Sequence, residues 1–93
     1  MEFTKVSGSD KGNIRLYGLS TCIWCKRTKQ FLDDLGVGYE YVFVDLLEGA
    51  AREECINEIK RWNERASFPT IVFDGKSCIV GFKEDEIKKT LGM

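Results

Sequence analysis

Ninety-three residues are enough for one domain with a single thin core and exclude a second domain. Apolar residues at 43% and charged residues at 31% are ordinary globular values, and one proline with nine glycines excludes a low-complexity chain. Lys+Arg 14 against Asp+Glu 15 leaves a net charge of −1, so the global basic field that would hold nucleic acid or an anionic membrane is missing.

Residues 1 to 12 mix Ser, Gly, Lys and Asp without a sustained period and read as a flexible tail, to which Phe3 and Val6 could add docking contacts. No hydrophobic signal-peptide core occurs there and no later stretch has membrane-spanning length, so a cytoplasmic location is expected. In a reducing compartment the four cysteines are catalytic, metal-binding or buried rather than a disulfide framework. Nothing in the sequence calls for more than a monomer.

Ile14-Arg15-Leu16-Tyr17 is a short strand candidate. Gly18-Leu19-Ser20-Thr21 supplies a turn and good N-cap residue types, so a helix is expected to begin at or just before Cys22. Thr28, Phe31, Leu32 and Leu35 then fall at i, i+3, i+4 and i+7, and Gly36 is a stop signal. The aromatic and β-branched run Tyr39 to Val44 predicts a largely buried strand, and strand-helix-strand over this length predicts parallel pairing through a right-handed crossover.

Asp45 to Gly49 is polar enough to open a second helix, with Ala51, Cys55, Ile59 and Trp62 as its apolar stripe and a charged outer face. Asp74-Gly75 between Ile71-Val72-Phe73 and Ser77-Cys78-Ile79-Val80 is a strong hairpin signal. A last helix over Lys83 to Thr90 closes the core with Phe82, Ile87 and Leu91. The expected order is β-α-β-α-β-β-α.

The chemistry lies in Cys22-Ile23-Trp24-Cys25. Two thiols at this spacing, the first at a helix N-terminus, can cycle between dithiol and disulfide while the helix end stabilises the thiolate. Cys22 is the candidate nucleophile and Cys25 the resolving thiol that displaces a mixed disulfide. Trp24 offers an apolar contact to a partner. Lys26 adds positive potential or meets an anionic thiol, against the equal alternative of an ordinary solvated helix residue. Cys55 and Cys78 fit small buried hydrophobes better than reactive thiols. One Cys-x-x-Cys and no histidine do not make a zinc site.

Together, a Cys-x-x-Cys at the first strand-to-helix turn, a lone proline leading into a later strand and a closing hairpin plus helix resemble the glutaredoxins of the thioredoxin-like superfamily. The match spans residues 13 to 92, so 13–93 is taken as the glutaredoxin-like domain. The resemblance implies an α/β fold with a four-stranded mixed sheet and helices on both faces. It implies a cis Pro69 beside the cysteines, with Phe68, Pro69 and Thr70 forming the wall for a substrate backbone, and a substrate-binding Gly81. It also implies disulfide-containing protein or small-molecule substrates, with glutathione, another low-molecular-weight thiol or a thioredoxin-reductase-type enzyme as electron donor, and no bound cofactor.

Three departures bear on the donor. Ile23 and Trp24 replace the common Pro-Tyr between the cysteines, and Leu19 stands where many glutaredoxins carry a lysine for glutathione's carboxylate. Val80-Gly81 replaces Gly-Gly, so that Gly81-Phe82-Lys83 looks more like the redoxins serving ribonucleotide reductase, which take electrons from thioredoxin reductase. A module in which the dithiol holds an iron–sulfur cluster or another metal is the competing class, and Cys25 argues against it because cluster-bridging relatives chiefly carry one active-site cysteine.

Overall fold

Short strands, two of them almost wholly buried, and helices with a three-to-four-residue apolar spacing divide residues 3 to 93, which this computed structural model describes. The elements are β1 (Thr4–Val6), β2 (Ile14–Gly18), α1 (Ile23–Leu35), β3 (Tyr39–Phe43), a 3-10 turn (Val44–Leu46), α2 (Gly49–Lys60), β4 (Thr70–Phe73), β5 (Ser77–Val80) and α3 (Glu84–Leu91). The five strands form one mixed sheet in the order β1-β3-β2-β4-β5. Only β2 and β3 run parallel, with Leu16 opposite Tyr41 and Gly18 opposite Phe43. The other pairings are antiparallel.

Each sheet face has its own core. Ile14, Leu16, Ile71 and Phe73 point to one face, where they meet Leu32 of α1 and Ile87 and Leu91 of α3. Tyr17, Val42 and Val72 point to the other and meet Cys55 and Ile59 of α2. The expected α/β fold with helices on both faces is therefore present. At full burial each large aliphatic contributes about 1.5–3 kcal/mol, which makes these two clusters the main source of stability.

The sheet departs from expectation by one strand. Thr4–Val6, inside the stretch read as a tail, pairs antiparallel with Tyr39 to Tyr41 and makes a fifth, edge strand. Three residues are too short for a period-2 pattern to register, and the pairing exists only because β3 would otherwise be an open edge. The contact continues past the strand: Ser9 N–H donates to the Gly36 carbonyl at 2.8 Å, and Gly38 N–H to the Ser9 carbonyl at 2.9 Å. Gly8 allows this approach, since a Cβ there would lie 2.5–2.6 Å from backbone atoms of Gly36, Val37 and Gly38.

The remaining boundaries moved slightly. The stretch expected to open the second helix forms the 3-10 turn first, and α2 starts at Gly49, ending before Trp62, which packs half-buried against the α2-side core. The hairpin forms as expected, with both Asp74 and Gly75 at positive φ, the conformation that favours this dipeptide in tight turns. Among the described residues no helix is long and apolar enough to cross a membrane.

Gly8→Ala is expected to lower unfolding free energy by about 1–3 kcal/mol, the usual effect of overpacking against backbone that cannot yield. Urea denaturation measures this, and an unchanged midpoint would show that β1 does not depend on the close approach.

Candidate functional site

The parallel register brings the C-terminal ends of β2 and β3 side by side, so the loops that follow them share one edge of the sheet. The loop after β2 runs Leu19-Ser20-Thr21 into α1, whose N-cap is Cys22 with extended backbone (φ −86, ψ 117). The sulfur itself acts as the cap: the Cys25 N–H donates to Cys22 Sγ at 3.3 Å. Cys22 N–H donates to the Leu19 carbonyl and Lys26 N–H to the Cys22 carbonyl, both at 3.1 Å. Ser20 and Thr21, the better N-cap types by sequence, do not cap. Ser20 donates its N–H to Asp45 Oδ1 at 2.8 Å and its hydroxyl to Asp45 Oδ2.

The two thiols sit in different environments. Cys22 is half-buried, whereas Cys25 is fully buried, seated against Gly18, where a Cβ would come within 3.1 Å of Cys25 Cβ and 3.3 Å of its sulfur. Burial first, then a hydrogen bond to the Cys22 sulfur, pushes the Cys25 thiol up to about 12, and the Asp45 carboxylate adds to the shift. Cys25 therefore stays protonated near neutrality. Cys22 lies at the N-terminal end of the helix with a backbone N–H aimed at its sulfur.

At the first turn of α1 a groove of about 300 Å³ is lined by Trp24, Phe68, Pro69, Gly81 and Phe82. It brings together four residues expected at the substrate site. The Phe68–Pro69 bond is cis. Gly81, at φ +92, donates its N–H to the Pro69 carbonyl at 2.8 Å, joining the two walls. Trp24 and Ile23 are the exposed large apolar side chains nearest the pair, at 52% and 59% exposure. The Arg27 guanidinium lies over the Trp24 ring at 5.0 Å.

Two expected site residues lie elsewhere. Thr70 is fully buried, and its hydroxyl donates to the Ser67 carbonyl at 2.7 Å, so its side chain braces the turn before Pro69 instead of lining the groove. Lys26 is exposed on α1 outside the groove lining. Phe82, expected only in the core, does both: it packs on the α1-side core and edge-on to Phe31 at 5.6 Å, and it faces Trp24 at 6.3 Å. Its neighbour Gly81 was the available signal for it. Cys55 is buried as expected, while Cys78 is half-buried, its thiol directed at the Trp62 carbonyl 3.6 Å away.

A protein-family model described as Glutaredoxin matches residues 14–78, spanning both cysteines, Pro69 and the Asp74-Gly75 turn. The chain belongs to the glutaredoxin family. It is 52% identical to methanoredoxin of Methanosarcina acetivorans, whose crystal structure superposes with a TM-score of 0.95 over 97% of this chain and 96% of that one. A glutaredoxin from Methanosarcina mazei Go1 is likewise 52% identical, with a TM-score of 0.92 over 98% and 88% of the two chains. The glutaredoxin-like 8.6 kDa protein of the Clostridium pasteurianum rubredoxin operon is 32% identical over 78 residues, covering 84% of this chain and 96% of that protein.

In this glutaredoxin the Cys22–Cys25 pair is accordingly a thiol redox site. Leu19, the departure from the lysine many relatives carry, lines a second, mostly apolar cavity of about 310 Å³ with Val44, Asp45, Arg52, Ile56, Ala66 and Phe68. Among the described residues no three Cys, His, Asp or Glu side chains converge as metal ligands. Asp45 is the site residue that linear reading missed, because only the parallel register sets it next to Ser20.

Burial also pushes the Cys55 thiol up to about 11. An unfolded thiol titrates near 9, so above that pH the unfolded chain loses protons that the folded chain keeps at Cys25 and Cys55. Their contribution to stability is complete below about 9 and falls as pH rises toward 11 and 12. The urea midpoint of the reduced protein is expected to drop across this range, and to drop less in a Cys25→Ser, Cys55→Ala variant. Parallel pH profiles for the two proteins would contradict the assignment.

Proposed function

We propose that this glutaredoxin is a dithiol reductant of protein or small-molecule disulfides, working as an electron carrier in cell redox balance. The observation that carries the reading is the asymmetry of the pair: Cys22 Sγ caps α1 half-buried, two residues before the groove-lining Trp24, while Cys25 lies buried and protonated. The Cys22 thiolate attacks one sulfur of the substrate disulfide, forming a mixed disulfide and expelling the other sulfur as a thiolate that takes a proton from water. Cys25 then gives up its proton and attacks Cys22 Sγ, breaking the mixed disulfide and releasing the second substrate thiol. The substrate gains two electrons and two protons, and the pair ends as Cys22–Cys25 disulfide.

Trp24, Phe68, Pro69, Gly81 and Phe82 give the substrate chain an apolar bed in this reading, and Lys26 supplies positive potential at its margin. The pair is reset by a small thiol or a thioredoxin-reductase-type enzyme. Leu19 leans against tight glutathione binding, because its apolar side chain offers no partner to a carboxylate.

Cys22→Ser is expected to abolish disulfide reduction, and full activity in that variant would rule the mechanism out. Cys25→Ser should instead accumulate a mixed disulfide with substrate, seen as a mass adduct removed by dithiothreitol. With one disulfide substrate, thioredoxin reductase plus NADPH is expected to sustain faster turnover than glutathione plus glutathione reductase. The reverse order would assign the donor to glutathione.

A further inference from the structure

Asp45 stands two residues beyond the last parallel pair, Gly18 opposite Phe43, and so does Ser20. Its carboxylate takes both hydrogen bonds that Ser20 can donate, and Leu19 in the same loop accepts from Cys22 N–H. We propose that Asp45 is a positioning residue of the redox site, locking through Ser20 the loop that presents Cys22. This rests on the disulfide-reductase reading above.

The Ser20 hydroxyl, then the Ser20 N–H, holds the Asp45 carboxyl below the usual carboxylate range, so it remains an anion through the working pH. The charged and titratable groups facing this corner are Cys22 and Cys25 of α1, Asp45 of the 3-10 turn and Arg52 of α2, which reaches the Asp45 carbonyl at 3.5 Å. Ordering the loop favours attack by Cys22, the first of the two half-reactions.

Stopped-flow reaction with 5,5′-dithiobis(2-nitrobenzoate), protein in excess and in a Cys78→Ser background, separates the two. The first aryl thiolate leaves when Cys22 attacks the probe. The second leaves when the Cys25 thiolate breaks the Cys22–aryl disulfide, so two electrons pass from the dithiol to the probe. Asp45→Asn keeps an acceptor for Ser20 without the charge. It should leave the first phase within about twofold of the parent.

Asp45→Ala and Ser20→Ala should each slow the first phase. Circular dichroism checks the folds, and if Asp45→Ala unfolds, the other two variants suffice. A parental first phase in Ser20→Ala would overturn the positioning role. Failure of the underlying reading looks different: Cys22→Ser would then still release the first aryl thiolate at the parental rate.

Discussion

The parallel pairing of β2 with β3 is the constraint on which the rest of the site depends. Parallel neighbours end at the same edge of a sheet, so the loop to α1 and the 3-10 turn after β3 emerge together. That coincidence sets Asp45 against Ser20 and aims the start of α1 outward. Open α/β sheets place their sites beyond the carboxyl ends of the strands, and this small sheet does the same. The antiparallel β4 and β5 then bring Pro69 and Gly81 to the same edge, and the N–H of Gly81 ties the two together.

At this edge a helix terminus and a reactive sulfur satisfy each other's requirements. The first N–H groups of any helix lack intrahelical partners, and here a sulfur meets one of them where a hydroxyl or carboxylate usually would. One residue thus ends the loop, starts the helix and presents the more exposed thiol of the pair. Three residues on, nearly one helical turn, Cys25 faces inward against a glycine that leaves it room. Unequal exposure of two chemically identical side chains follows from this geometry.

The groove has an aromatic character that ties recognition to stability. Phe82 spans the core under α1 and the surface facing Trp24, so the groove is an extension of packed core. Phe68 lines two cavities, one shared with Trp24, Pro69, Gly81 and Phe82 and the other with Leu19 and residues of α2. Since Leu19 also joins the α2-side core, the residue that departs from the common glutathione-binding pattern is held in place by packing.

Sequence alone was sufficient for the features that depend on local chemistry. The Cys-x-x-Cys spacing, the periodicity of Thr28 to Leu35 and the Asp74-Gly75 turn are each encoded within a few residues, and the α/β order of elements followed from them. Tertiary structure alone decided the fifth strand, the inward turn of Thr70, the double role of Phe82 and the partnership of Asp45 with Ser20. Each of these joins residues far apart in the chain or depends on which way a side chain turns, and such contacts leave no period or spacing in a linear sequence. The Cys22-Ile23-Trp24-Cys25 motif determined that thiols would react here; the register of β2 on β3 decided what surrounds them.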